Sequence, residues 1–182
     1  MNDKVTKCKF LYPKGQEPDF CNPLIYEPYR FAIGKKGKNM LFTVCMNPSA
    51  ASDDISDKTV NRVINASIQL GYDGWIVLNT YPERATNSAN MDEYNKCLAE
   101  KNLAVIREYI IENEIKEVWG AWGNLSRKAL KEGRNSILAL FKELDVKVFH
   151  FAEPTKNGEP RHPTPRGKQL ETTSENKRYY EF

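Results

Sequence analysis

From residue 41 to residue 151 the chain alternates short, nearly continuous apolar runs with longer segments whose apolar residues return every three or four positions. A short apolar run bounded by turn residues reads as a strand buried on both faces, and the longer pattern as a helix with one buried stripe. Strands are predicted at residues 41–46, 75–78, 117–122 and 146–151. The first helix is expected after the candidate caps Ser56 and Asp57, with Val60, Val63, Ile64, Ser67 and Ile68 on its inner side and Gly71 at its end. A second covers 91–113, with Leu98, Val105, Ile106, Tyr109 and Ile110 aligned, and a third covers 136–144 behind a short helical piece at 125–130. Strands that alternate with helices pair in parallel, so the expected fold class is α/β, a three-layer sandwich around a central, mainly four-stranded parallel sheet.

The amino-terminal part departs from this rhythm. Pro13, Pro18, Pro23 and Pro28 remove backbone donors and oppose a long helix or a central strand, so residues 1–28 are expected to wrap the core irregularly. Residues 29–33, the turn Gly34-Lys35-Lys36-Gly37 and residues 40–46 predict an N-terminal hairpin. The 182 residues make one domain, with its core over 29–167 and a polar tail over 168–182.

Charge adds little by its total and more by its distribution. Lys and Arg number 27 against 24 Asp and Glu, a net +3 that does not identify a nucleic-acid binder. The carboxyl-terminal part is the more basic one, and Lys156, Arg161, Arg166 and Lys168 are its candidates for phosphate contact. No apolar run reaches the roughly 18 residues of a membrane helix, and the polar start Met1-Asn2-Asp3-Lys4 leads no apolar segment, so a cytoplasmic protein without membrane contact is expected. Cys8, Cys21, Cys45 and Cys97 form no C-x-x-C pair, which disfavours metal, and Cys45 and Cys97 are expected to be buried thiols. No cofactor is expected.

In open parallel sheets, ligands bind beyond the carboxyl ends of the strands. The residues placed there are Asn47-Pro48-Ser49, Asn79-Thr80-Tyr81, Trp122-Gly123-Asn124 and the loop holding Arg161-His162-Pro163. Each has an ordinary use: Asn47 as a turn before proline, Asn79 as a loop cap, Trp119 and Trp122 as core. His150, alternating inside an apolar strand, reads as structural, whereas His162 sits between prolines in a polar loop and is the stronger candidate for chemistry.

These strand ends resemble ordered landmarks of the uracil-DNA glycosylase superfamily: residues 41–49 ending in Asn47-Pro48-Ser49, residues 76–79 ending in Asn79, residues 118–123 ending in Gly123, and His162-Pro163-Thr164-Pro165. Asn61-Arg62 and Gly71-Tyr72 are similar to the mismatch-specific branch. A closer resemblance, over about residues 29–167, is to domain-of-unknown-function family 1643, through Asn47-Pro48-Ser49-Ala50, Asn79 with Arg84-Ala85-Thr86, and residues 155–163. The glycosylase resemblance implies a glycosylase-like fold in which Asn47 positions a water, His162 donates to the departing base and Asn79 reads a pyrimidine edge. It also implies a pocket lined by Pro48, Ser49, Tyr81, Trp122 and Gly123. Arg166 stands where that superfamily places an apolar wedge, which argues against duplex insertion.

The expectation is therefore a DNA glycosylase-like hydrolase acting on a damaged or modified base, with single- or double-stranded DNA or a nucleotide as its partner. Ser49 stands where the uracil-specific branch has a gating tyrosine, so a 5-substituted pyrimidine would be admitted. The alternatives are a non-catalytic nucleobase, nucleotide or nucleic-acid binding module on the same fold, or a protein-interaction or inhibitory protein. The absence of an acidic residue from the first motif favours binding over hydrolysis. Oligomeric state is left open.

Overall fold

All six residues of a strand over Gly74–Asn79 are buried, as a strand covered on both faces requires. The structure is a computed structural model and describes residues 10–182. Its elements in chain order are β1 (Phe20–Asn22), β2 (Ala32–Lys35), β3 (Met40–Cys45), α1 (Lys58–Gln69), β4 (Gly74–Asn79), α2 (Lys96–Glu112), β5 (Glu117–Ala121), α3 (Lys128–Glu143), β6 (Lys147–Phe151) and β7 (Lys177–Tyr180). They form an α/β fold around one seven-stranded mixed sheet, ordered β1-β2-β4-β3-β5-β6-β7. β4, β3, β5 and β6 run parallel, while β1, β2 and β7 are antiparallel additions at the edges.

Alternation along the strands divides the interior into two layers of contact. Leu41, Cys45, Trp75, Val77, Trp119 and Phe149 meet Val60, Val63 and Ile64 of α1 on one face. Phe42, Val44, Ile76, Leu78, Val118 and Val148 meet α2 through Ile106 and Ile110, and α3 through Leu130, Ile137 and Phe141, on the other. Asp57 caps α1 by accepting the Val60 N–H at 2.9 Å, and Asn95 caps α2 by accepting the Leu98 N–H at 3.0 Å. No helix among the described residues is long and apolar enough to cross a membrane.

The N-terminal hairpin is not formed. β2 pairs with β4, and β3 lies on the other side of β4, so residues 36–39 carry the chain across the sheet instead of turning it back. Two features hold that crossing. The Asp73 carboxylate, just ahead of β4, accepts the N–H of Asn39 at 2.7 Å and of Lys38 at 3.1 Å. Gly34 has no side chain to strike the Trp75 carbonyl, so β2 can lie close against β4.

Other boundaries moved for similar long-range reasons. β1 falls inside the proline-bearing stretch expected to be irregular, and β7 inside the stretch expected to be a polar tail; each is held by pairing with a neighbouring strand. The two helical pieces predicted at 125–130 and 136–144 give way to one helix, α3, which begins only at Lys128 and runs through the expected gap. Cys45 is buried as expected, but Cys97 lies on the outer side of α2 and is exposed, and Cys8 lies outside the described residues.

Candidate functional site

The carboxyl ends of β4, β3 and β5 are adjacent, so the loops that follow them share one rim. Thr80 joins the first two: its N–H meets the Cys45 carbonyl at 2.9 Å and its hydroxyl donates to the Met46 carbonyl at 2.6 Å. Asn47, partly exposed, donates through Nδ2 to the Ala85 carbonyl at 2.8 Å and the Pro48 carbonyl at 3.0 Å. Its amide nitrogen is thereby committed to holding the loop after β4. Its Oδ1 accepts nothing from the described residues and remains the group that can orient a ligand or water.

His162 reaches the same rim from the loop after β6. Gly123, at φ +67°, lets the chain after β5 turn under it: a Cβ there would lie 3.1 Å from the His162 Cβ. The Gly123 N–H donates to the Pro160 carbonyl at 3.0 Å. His162 Nδ1 accepts the Thr164 N–H at 3.2 Å, with the Thr164 hydroxyl at 2.9 Å, and this assigns the ring proton to Nε2. Burial holds the imidazole below its ordinary value, partly opposed by the charge of Asp57. A neutral ring with a free N–H donor is the result.

The loop bearing His162 is itself pinned. Glu159 accepts from Trp122 Nε1 at 2.6 Å and pairs with Arg134 of α3, with only 13% of its side chain and 17% of the arginine's exposed. The Thr155 N–H donates to the Glu159 carbonyl at 2.8 Å, the Glu159 N–H returns to the Thr155 hydroxyl oxygen at 3.3 Å, and that hydroxyl donates to Asn124 Oδ1 at 2.6 Å.

Asp57, singled out in the sequence only as a cap, also accepts the Ala51 N–H at 3.3 Å. The Ala51 carbonyl takes two cationic donors, Arg30 at 2.8 Å and Arg84 at 2.9 Å, and Arg84 also reaches the Ser49 carbonyl at 3.2 Å. Arg30 is 1% exposed, and neither guanidinium pairs with a carboxylate among the described residues. Burial and the nearby charge of Arg84 both lower the Arg30 pKa. Tyr26 covers Arg84, its ring centroid 4.6 Å from the guanidinium carbon. Ala51 is thus held through both its N–H and its carbonyl. Arg30 had a signal in the sequence, a lone cation inside the apolar run 29–33.

The expected pocket lining is divided by the structure. Pro48 and Gly123 are buried at the rim, and Ser49 is partly exposed there. Asn79 is on the rim but sealed, 1% exposed with Oδ1 unpaired, so it does not open into a cleft with Asn47 and His162. Tyr81 and Trp122 do not line the rim. Both belong to the core beneath α2 and α3, where the Tyr81 hydroxyl accepts the Asn95 N–H at 3.0 Å and Trp122 donates to Glu159. Of the four expected phosphate contacts, Lys168 pairs with Glu171 at 2.7 Å and Arg161 donates to the Glu153 carbonyl at 2.7 Å. Lys156 and Arg166 are exposed and make no ion pair among the described residues. Arg161, Arg166 and Lys168 border a cavity of about 390 Å³ whose wall also includes Glu153 and Glu171.

No curated protein and no solved structure matches the chain, and no comparison returned a glycosylase. A family model does match, over residues 30–164, well beyond half of the 182 residues and covering β2 to β6 with every rim loop described above. The chain belongs to the family described as Protein of unknown function (DUF1643).

Proposed function

We propose that the rim formed by Asn47, Asp57 and His162 hydrolyses an N-glycosidic bond to a nucleobase, with DNA carrying a damaged or modified base as the substrate and the parallel strands serving as a glycosylase-type core. The observation that carries this reading is the His162 ring, whose Nδ1 is occupied by Thr164 and whose Nε2–H is therefore a donor. As the C–N bond breaks, its electron pair leaves with the base, and a neutral donor at the developing anion lowers the barrier without protonating the ground state. The sugar carbon becomes cationic and is attacked by a water held at Asn47 Oδ1. Asp57, held by the Val60 and Ala51 N–H groups, is the carboxylate whose charge reaches His162. The proton lost by water passes to solvent.

The test is incubation with single- and double-stranded oligonucleotides bearing deaminated, oxidised and 5-substituted bases, followed by alkali to cut at abasic sites. Cleavage at one modified base is expected, and His162→Gln should lower the single-turnover rate by about 10² to 10³ with affinity unchanged. Ser49→Tyr should act against 5-substituted pyrimidines selectively. An uncleaved panel would remove the proposal.

A second reading, a non-catalytic module for a nucleobase or nucleotide, is favoured by the commitment of Asn47 Nδ2 to the backbone carbonyls of Pro48, Glu83 and Ala85. Saturable nucleotide binding with no base released would select it.

A further inference from the structure

Two arginines meet at one backbone oxygen beside the rim and leave the same edge of their guanidinium groups unused. Arg30 and Arg84 each donate through Nη1 to the Ala51 carbonyl, and the Nε atoms of both are buried without an acceptor. Nε–H and Nη2 lie on one side of a guanidinium and together form a fork that grips an oxyanion through two parallel hydrogen bonds. Arg84 Nη2 donates to nothing among the described residues and, unlike Nε, is not sealed from solvent, so its fork has an open end. A buried donor without a partner is rare in native proteins and calls for an explanation. The charge is as poorly matched as the donors. Neither arginine pairs with a carboxylate among the described residues, and each lies in the field of the other. Asp57 is the one carboxylate among the groups that act most on Arg30, and it already accepts the N–H groups of Val60 and Ala51. Burial pushes the Cys21 thiol and the Tyr12 hydroxyl up, so both stay neutral near pH 7. The two guanidiniums thus carry more charge than their surroundings return.

We infer that Arg84, with Arg30 behind it, forms a binding site for the phosphate group of a nucleotide. A phosphate brings several terminal oxygens and a full negative charge or more, which suits a guanidinium fork backed by a second cation. The position suits it too. Ala85, next to Arg84, donates its N–H to the Pro48 carbonyl at 2.9 Å and accepts Asn47 Nδ2 at 2.8 Å. Arg84 itself reaches the Ser49 carbonyl at 3.2 Å. A phosphate on Arg84 therefore lies beside the segment that carries Asn47, and a sugar and base attached to it extend toward the rim. Tyr26, 70% exposed, stacks over the Arg84 guanidinium and so covers a face rather than the edge at which an oxyanion binds. Arg30, 1% exposed, is a positioning residue: it holds the shared Ala51 carbonyl and adds its charge without touching the ligand. The choice of a nucleotide as the source of the phosphate rests on the reading of the rim given above, whereas the anion site itself does not.

The experiment is a titration of the ¹⁵N-labelled protein with inorganic phosphate, at an ionic strength held constant with sodium chloride, following the arginine Nε–H signals. Arg84→Lys keeps the charge, removes the fork and assigns the Arg84 signal by its loss; if that variant does not fold, side-chain assignment in the native chain serves. The Arg84 signal should move saturably while that of the exposed Arg166 stays in place. Followed through the backbone N–H of Ala85, Arg84→Lys should bind phosphate about tenfold more weakly, as expected when a bidentate contact becomes a point charge. An unmoved Arg84 signal, an equal movement at Arg166, or unchanged affinity in Arg84→Lys would each overturn the site. Deoxyuridine 5′-monophosphate and free deoxyuridine form the second arm. Tighter binding of the nucleotide than of inorganic phosphate, with the Arg84 signal unmoved by the nucleoside, supports the nucleotide as the source. Equal binding of nucleotide and phosphate would overturn that source and count against the rim, while the anion site would stand.

Discussion

His162 carries a pH dependence whose sign follows from its surroundings. Its folded pKa lies below the ordinary imidazole value of about 6.5, so between the two the unfolded chain binds more protons than the folded one. Its contribution to stability is present in full above about pH 6.5 and is lost as pH falls through the folded value. Urea midpoints compared at pH 7.5 and 5.5 should differ less in His162→Gln than in the native chain. Glu159 tests the support beneath it. Glu159→Ala strands the Trp122 N–H and a largely buried Arg134, so a loss of about 3 kcal/mol is expected by denaturant titration. The placement of Asn47 and His162 beyond strand ends was legible, because strand ends converge whatever the packing. Tyr81 and Trp122 lie just past the ends of β4 and β5, where the sequence does not show whether a side chain opens to the rim or folds back into the core, and both fold back. The reach of Asp57 and of Arg30 to Ala51 was hidden for another reason: contacts across the fold leave no local pattern.

Among the elements, α3 shows how a single missing side chain fixes a distance. Gly133 sits mid-helix, and a Cβ there would overlap the Thr80 carbonyl just beyond β4. Helix propensity favours alanine over glycine by about 1 kcal/mol, yet the clash involves backbone that also ties β3 to β4. Gly133→Ala should therefore be net destabilising by about 1 to 3 kcal/mol, and a thermal or urea midpoint above that of the native chain would show that α3 can lift away at little cost. The helices and the parallel strands were readable because each buries a periodic or continuous apolar set. β1 and β7 were not, since they are short and owe their conformation to partners distant in sequence, and β2 was expected a little early, at 29–33, with Gly34 and Lys35 assigned to a turn. The hairpin error has the same origin, because nothing local announces that β4 will insert between β2 and β3.

At the scale of the whole molecule, the sheet ends on both sides in a short antiparallel strand, three residues at β1 and four at β7. β7 also presses Tyr180 against the Trp122 ring, with centroids 5.8 Å apart, so it covers core as well as edge. Deleting residues 177–182 should lower the unfolding midpoint by denaturant titration and bare the open side of β6. The outward Arg178, paired with Glu153 at the surface, puts charge on the last strand. Short length and charge at an open edge oppose pairing with another chain. Arg178→Val should then give concentration-dependent association by light scattering, while a strictly concentration-independent mass would show that length alone suffices. The short terminal strands thus act as a stop signal for sheet growth: a chain built around a hydrophobic parallel platform, the kind of surface that templates fibres, carries at each border a segment too brief and, at β7, too charged to recruit the next copy.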